Sequence, residues 1–376
     1  MNPTGMSPSL SPSDVDKRYM ELALALGRRG QGNVWPNPAV GCVIVQGNRI
    51  VGRGWTAPGG RPHAEPQALA QAGDAARGAT VYVTLEPCAH TGKTPPCAKA
   101  LIEAGVGRVV CALGDPDPRV DGGGFAILRA AGIAVTENVC RAQAARDHAG
   151  FLSRLQNGRP TVTLKLATSL DGRIATASGD SQWITGPQAR RHVHALRACH
   201  DAVLVGAGTA RDDDPSLTVR GLGVAHQPVR VVVASRLALP LDSQLARSAR
   251  EVPVWLLHGP DAPAERIAAW RETGARCMEV PTANGARVQL SAALQALGAA
   301  GLTRVFCEGG GLVASALLQE HLADRLVLFT GGVAIGAEGR TSLGPLGLGR
   351  LSEGPRFALQ DSIAIAGDVM QTWERA

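Results

Sequence analysis

The sequence predicts an α/β protein of two domains, on three observations. Strand-like apolar runs alternate with helical stretches from near the start of the chain to its end, a pattern that builds layered sheets with helices packed on them. At 376 residues the chain suits two cores better than one. Its 46 Gly and 24 Pro supply the many turns such an alternation needs, while staying below low-complexity composition. Aromatic residues make up only 3%, so the cores must be built from Ala, Val and Leu.

Met1 to Ser13 is rich in Pro, Ser and Gly and reads as a disordered leader. Asp14 suits the N-cap of a helix running to about Arg29, with Met20, Ala23, Leu24 and Gly27 along one side, ended by Gly30-Gln31-Gly32-Asn33. Val40 to Val45 and Ile50 to Trp55 form a hairpin through Gly47-Asn48. A helix is expected over His63 to Ala72, with Pro66 tolerated in its first turn. A strand over Ala79 to Leu85, a helix over Pro96 to Ala104 and a strand over Arg108 to Leu113 follow. A helix near Phe125 to Ala131 and a strand near Ile133 to Val135 complete the first domain, 14–150. The polar, Arg-rich stretch from Cys140 to Arg159 carries the boundary.

The second domain, 160–376, opens with a strand over Thr161 to Ala167. Further strands are expected at Val203 to Val205, Val229 to Ala234, Val252 to Leu257, Arg304 to Cys307 and Arg325 to Phe329. Helices fall between them at Pro187 to Cys199, Ala264 to Thr273, Leu290 to Ala300 and Leu312 to Leu322. The sequence has no internal repeat.

The net charge of +6 admits nucleic acid as a partner, but no run of Lys/Arg exceeds two residues and stacking aromatics are few. A small phosphorylated substrate fits better. Eight Cys in this length make no disulfide framework. Apart from Cys88 and Cys97 they lie mostly in apolar runs, as buried thiols in a reducing cytoplasm do. No apolar stretch approaches the roughly 18 residues of a membrane span, and the N-terminus lacks a signal-peptide pattern.

The most specific chemistry lies in His63-Ala64-Glu65, followed by Pro87-Cys88 and then Cys97. One His and two Cys hold zinc and leave a fourth position for water. A Glu two residues after the His can move protons without ligating the metal, as in zinc deaminases, whose signature is H-x-E…P-C-x-x-C. Here eight residues separate the two Cys where that signature has two.

The longer spacing is itself informative. Asn37-Pro38-Ala39-Val40-Gly41-Cys42, His63-Ala64-Glu65 and the run from Glu86 to Cys97 closely resemble the bifunctional riboflavin-biosynthesis deaminase/reductase family. The resemblance implies a cytidine-deaminase-like three-layer first domain, with zinc on His63, Cys88 and Cys97 and Glu65 as catalytic proton shuttle. It places Asn37, His90, Lys93 and Thr94 on the substrate. Gly114-Asp115-Pro116-Asp117-Pro118 either closes this site or is a plain turn.

In the second domain, Gly206-Ala207-Gly208-Thr209 follows a strand but lacks the final Gly and the acidic residue of a dinucleotide fingerprint. Glu308-Gly309-Gly310-Gly311 follows another strand and opens a helix, which suits a pyrophosphate. The segments Lys165 to Ala175, Ser181 to Thr185 and Asp212 to Arg220 resemble the reductase half of the same family. The resemblance implies a dihydrofolate-reductase-like fold and NADPH. The cofactor contacts it implies are Ala167, Trp183, Thr209, Asp213, Ser235 and the run Gly310, Gly311, Leu312, Val313, Ala314, Ser315 and Ala316. The substrate contacts are Lys165, Ser181, Arg197, Leu217, Arg220 and Glu308. Arg197 and Arg220 are suited to grip a phosphate, and Lys165 and Asp213 are both candidates to give a proton to the opened ribose.

The expectation is a cytoplasmic enzyme, homodimeric by family habit, that deaminates a phosphoribosylated diaminopyrimidine and then reduces its ribosyl group to ribityl. One rival is a tRNA nucleobase deaminase with an RNA-binding appendage, disfavoured by the missing basic clusters. The other is a non-enzymatic protein with structural zinc, which needs a fourth ligand such as His90.

Overall fold

The computed structural model describes residues 12–90, 95–283, 285 and 287–376. Residues 1–11, most of the expected leader, therefore lie outside the described residues, as do Lys93 and Thr94. The chain divides between Leu155 and Gln156 into two compact units.

The first unit runs α1 (Pro12–Gly27), β1 (Gly41–Gln46), β2 (Arg49–Trp55), α2 (Ala64–Ala72), β3 (Thr80–Val83), α3 (Cys97–Glu103), β4 (Arg108–Cys111), α4 (Gly123–Ala130) and β5 (Ala134–Thr136). Then come α5 (Arg141–Asp147) and α6 (Ala149–Asn157). The five strands form one sheet in the order β2-β1-β3-β4-β5. The β1/β2 hairpin and the β1/β3 pair are antiparallel, whereas β3/β4 and β4/β5 are parallel. Helices α1 and α5 touch one another, as do α2 with α3 and α3 with α4, giving two helical layers around the sheet. The core is built from small aliphatics: Ile44, Val81, Val83 and Val109 from the strands meet Met20, Leu24, Leu101 and Leu128 from the helices. The polar stretch read as a boundary is largely helical, because Ala144 and Phe151 reach this core and Leu152 and Leu155 pack against it.

The second unit runs β6 (Thr161–Thr168), β7 (Arg173–Ala175), α7 (Pro187–Ala198), β8 (Ala202–Gly206), α8 (Ala207–Asp212), β9 (Val229–Val233), α9 (Gln244–Arg247), β10 (Val254–His258) and α10 (Ala264–Glu272). It continues with β11 (Arg276–Glu279), β12 (Thr282–Ala283), β13 (Arg287–Val288), α11 (Leu290–Ala299), β14 (Arg304–Cys307), α12 (Gly311–Gln319) and β15 (Arg325–Thr330). It closes with β16 (Arg340–Thr341), β17 (Phe357–Ile365) and β18 (Asp368–Arg375). Nine strands form one sheet in the order β11-β10-β9-β8-β14-β6-β15-β18-β17. From β11 to β15 all pairs are parallel, and β18 and β17 add an antiparallel edge. The chain moves outward from β8 through β11 and then returns with β14 between β8 and β6. Such reversals of strand order open a crevice at the carboxyl ends of the strands, where ligands bind in α/β folds. Among the described residues no helix is long and apolar enough to cross a membrane.

Candidate functional site

In the first unit, His63 precedes α2 as its N-cap and Glu65 stands in its first turn. Cys97 opens α3, and Cys88 lies in the loop after β3. The fold draws them together. The His63 Nδ1 atom stands 3.3 Å from the Cys97 Sγ and 3.8 Å from the Cys88 Sγ, and all three ligand atoms fall within 4.8 Å of one another. Tetrahedral zinc with bonds of about 2.0 Å to nitrogen and 2.3 Å to sulfur puts those atoms about 3.6 Å apart, close to the His63 separations from both sulfurs. The Cys97 amide donates to the Cys88 sulfur at 3.3 Å. Hydrogen bonding from Cys97 pulls the Cys88 thiol down to about 4, with further help from His63, whereas the hydrogen bond to Cys88 and burial push the Cys97 thiol up. Glu65 is buried, and burial raises its pKa against the opposing charge of His63.

A carboxylate next to the Pro-Cys turn anchors this site. Glu86 is buried and accepts four backbone N–H groups. Its Oε1 takes those of Gly124 (2.8 Å) and Phe125 (3.2 Å), and its Oε2 those of Gly122 (3.1 Å) and Asp115 (3.3 Å). It thus caps the positive end of α4 and ties the loop bearing Cys88 to it. Gly124 is required there, since a Cβ would fall 2.0 Å from the Pro87 carbonyl. The Asp115–Asp117 segment is drawn onto the same loop: both carboxylates are buried, burial lifts Asp115 to about 6, and Asp117 pairs with Arg119. Sequence reasoning passed over Glu86. Its signal was the acid directly before Pro87-Cys88, matched by the later Gly122-Gly123-Gly124 run with its bare amides.

Asn37 sits on the loop before β1, packed over Gly60, which belongs to the turn leading into His63. The His90 Nδ1 atom is buried without a partner among the described residues. It does not join the His63/Cys88/Cys97 cluster.

In the second unit Ala167, Thr209, Ser235, Glu308 and Gly310 lie at or just beyond the carboxyl ends of β6, β8, β9 and β14. Lys165 on β6 and Glu308 just after β14 belong to neighbouring strands. Burial lowers the Lys165 pKa while Glu308 opposes the shift. Burial acts to raise Glu308, but Arg197 and Lys165 outweigh it and hold the carboxyl low. Sequence reading pairs Arg197 with Arg220 as a phosphate grip. In the structure the guanidinium fork of Arg197 is taken: its Nε and Nη2 donate to Glu308 at 2.5 and 3.1 Å, and its Nη1 donates to the Thr218 carbonyl at 2.8 Å. Only Arg220 is left exposed, its Nη1 on the Ser216 hydroxyl (3.1 Å) and its backbone N–H on His194 Nδ1 (3.3 Å). Leu217 is buried with φ +53°.

Thr209 lies in α8, next to Gly310 at the mouth of α12. A Cβ on Gly309 would fall 2.6 Å from the Val205 Cα, so only glycine lets β14 lead into α12 against β8. Gly310, with φ +54°, turns the chain into the helix, and Leu312 is 64% exposed at its mouth. This open helix start fits a pyrophosphate. Ala314 and Ser315 are buried, and the Ser315 hydroxyl is committed to the Gly311 and Gly344 carbonyls. Trp183 is 66% exposed with Arg190 over its ring at 4.4 Å. Ser181 and Asp213 are exposed and Ala167 is half-buried on β6. The Ser235 hydroxyl accepts from Val288 N at 3.1 Å.

An α/β unit with a His/Cys/Cys zinc donor set and a buried Glu, joined to a parallel-sheet unit with a glycine-lined helix start, defines a deaminase linked to a reductase. Comparison with known proteins agrees. Residues 13–113 match the cytidine and deoxycytidylate deaminase zinc-binding region, and residues 160–370 match the RibD C-terminal domain. The riboflavin biosynthesis protein RibD of Escherichia coli is 40% identical over 366 residues, covering 94% of this chain and 98% of the relative. That of Aquifex aeolicus is 39% identical over 340 residues, covering 90% and 93%. A solved structure of Acinetobacter baumannii RibD has a TM-score of 0.86 at 38% identity and covers 97% of this chain and 99% of that one. The diaminohydroxyphosphoribosylaminopyrimidine deaminase/5-amino-6-(5-phosphoribosylamino)uracil reductase of Thermotoga maritima has a TM-score of 0.85 at 32% identity, covering 97% and 100%. The chain belongs to the RibD family of riboflavin-biosynthesis proteins. It is a bifunctional enzyme of small-molecule metabolism, a zinc deaminase with a cytidine-deaminase-like fold and an NADPH reductase with a dihydrofolate-reductase-like fold.

Proposed function

We propose that residues 14–150 remove the ring amine of 2,5-diamino-6-(5-phosphoribosylamino)pyrimidin-4-one, and that residues 160–376 then reduce the ribosyl group of the product to ribityl. The observation that carries this reading is the convergence of His63, Cys88 and Cys97 beside buried Glu65. A zinc ion held there supplies the Lewis acidity that ionises water near neutral pH. The Glu65 carboxylate carries one proton of the attacking water to the ring nitrogen and then passes the proton of the added hydroxyl to the amine, which leaves as ammonia. Asn37, His90, Lys93 and Thr94 hold the substrate, the first beside the turn that leads into His63. His90 stays free for this role because its Nδ1 lacks a described partner.

In the reductase half NADPH supplies the hydride. Gly310 to Val313 receive its pyrophosphate at the α12 start, with Thr209, Asp213, Ala167, Ser235 and Trp183 around it. Ala314, Ser315 and Ala316 continue the same run along α12, the first two of them buried. Arg220 meets the substrate phosphate, with Ser181 and Leu217 as further substrate contacts. Arg197 orients Glu308, and Lys165, lowered by burial beside Glu308, gives the proton to the opened ribose. The enzyme works on a small phosphorylated molecule without nucleic acid, as a homodimer in the cytoplasm. That no Lys/Arg run exceeds two residues supports the reading without nucleic acid.

NADPH consumption with the aminated substrate tests the reading. A strong zinc chelator and Glu65→Gln should each abolish it, Glu65→Gln without loss of zinc, while pre-deaminated substrate restores consumption in both cases. Activity of Glu65→Gln on the aminated substrate would overturn the mechanism.

A further inference from the structure

Arg230 on β9 is fully buried, and among the described residues no carboxylate pairs with it. Burial lowers it only to about 10, so it stays charged at neutral pH. A buried cation without an ion pair is costly unless its donors are used. Its terminal nitrogens donate to two neighbouring segments. Nη1 reaches the Ser248 hydroxyl at 2.7 Å and the Ser216 carbonyl at 3.4 Å. Nη2 reaches the Ser248 and Val252 carbonyls at 3.0 and 2.5 Å.

Both routes end on one stretch of chain. The Ser248 hydroxyl donates to the Gln244 carbonyl at 2.5 Å. Gln244 in turn grips Asp214, its N–H on Oδ1 at 2.8 Å and its Nε2 on the carbonyl at 2.6 Å. Arg230 therefore supports the Asp213–Arg220 segment at Asp214, through Gln244, and at Ser216 directly. That segment needs outside support: Asp214 and Leu217 have φ of +37° and +53°, which L-residues rarely adopt. Ser216 links the two arginines, since its carbonyl accepts from Arg230 and its hydroxyl from Arg220.

We propose that Arg230 is a positioning residue of the reductase site, a buried cation that holds the Asp213–Arg220 segment so that Leu217 and Arg220 meet the phosphorylated substrate. This rests on the assignment of Leu217 and Arg220 to the substrate made above.

The test is steady-state reductase kinetics of the full chain with deaminated substrate, comparing wild type with Arg230→Met, Arg230→Lys and Arg220→Gln. Arg230→Met should raise the KM for the ribosyl phosphate at least tenfold and lower kcat less. Arg230→Lys should recover part of the loss, because an ammonium still donates to the Ser248 and Ser216 acceptors. Arg220→Gln should raise the same KM. If Arg220→Gln leaves it unchanged, the assignment of the substrate site fails, and the inference with it. If Arg220→Gln raises it but Arg230→Met does not, or if Arg230→Met lowers all parameters together with no rescue by Lys, the positioning role is overturned. Should the Met variant fail to fold, hydrogen exchange of Arg230→Lys decides: faster exchange across 213–220 with β8 and β9 unchanged supports the role, and unchanged exchange across 213–220 refutes it.

Discussion

Replacing Glu86 by Gln keeps the shape of the side chain and removes its charge. Each carboxylate oxygen now accepts two backbone N–H groups. Whichever oxygen becomes an amide nitrogen turns a donor towards two donors, so two of the four bonds are lost. Hydrogen bonds to a charged partner contribute about 1.5–3 kcal/mol each, which puts the local loss at about 3–6 kcal/mol. The loss falls where the Pro87-Cys88 turn meets the start of α4. Residues that orient a metal ligand typically govern 10–100-fold in affinity. Zinc affinity should therefore drop 10–100-fold, and the rest of the loss should appear as lower stability of the first unit. The assay is competition for zinc against a chelator of known affinity, beside deaminase turnover. Reductase turnover on deaminated substrate serves as the internal control and should not change. Zinc affinity within twofold of wild type, with unaltered deaminase stability, would refute the reasoning.

Two further outcomes are expected. His200 is buried, in contact with the Leu196 carbonyl (2.6 Å) and the Thr163 hydroxyl (3.0 Å), and burial holds it at about 3. The unfolded chain, with an ordinary histidine near 6.5, binds the extra proton between those values. The stability this imidazole contributes is thus complete above pH 6.5 and is lost as pH falls towards 3, with about 2.7 kcal/mol gone by pH 4.5. Hydrogen exchange of β6 and β14 amides between pH 7 and 4.5, corrected for the intrinsic rate, should show the loss, and His200→Gln should flatten it. Gly309→Ala brings a Cβ to 2.6 Å from the Val205 Cα, a backbone clash that overpacking data put at about 1–3 kcal/mol. NADPH binding, read by nucleotide fluorescence, should weaken at least tenfold while deamination persists.

Much of the chemistry was legible one residue at a time. His63-Ala64-Glu65, Pro87-Cys88 and Cys97 carry their element types and donor atoms in the sequence, and the helix starts at Ala64 and Cys97 agree with the expected ones to within a residue. Strand β14 falls at Arg304–Cys307 as its apolar run predicts. Local pattern is enough where one short segment bears both the periodicity and the chemistry. The closing β17/β18 hairpin was not read, because β17 lies at the sheet edge and most of its residues are exposed, leaving no buried face to produce a pattern.

The sequence by itself determined that zinc donors, a proton carrier and a glycine-rich helix start are present and in which order. Tertiary structure alone decided which charges remain available. Arg197 and Arg220 look alike as residues, but the arrival of Glu308 from β14 takes the fork of the first and leaves the second exposed. Glu86 and Arg230 act through backbone amides and carbonyls contributed by distant segments. Every residue owns those groups, so no sequence pattern marks which of them a buried charge will hold.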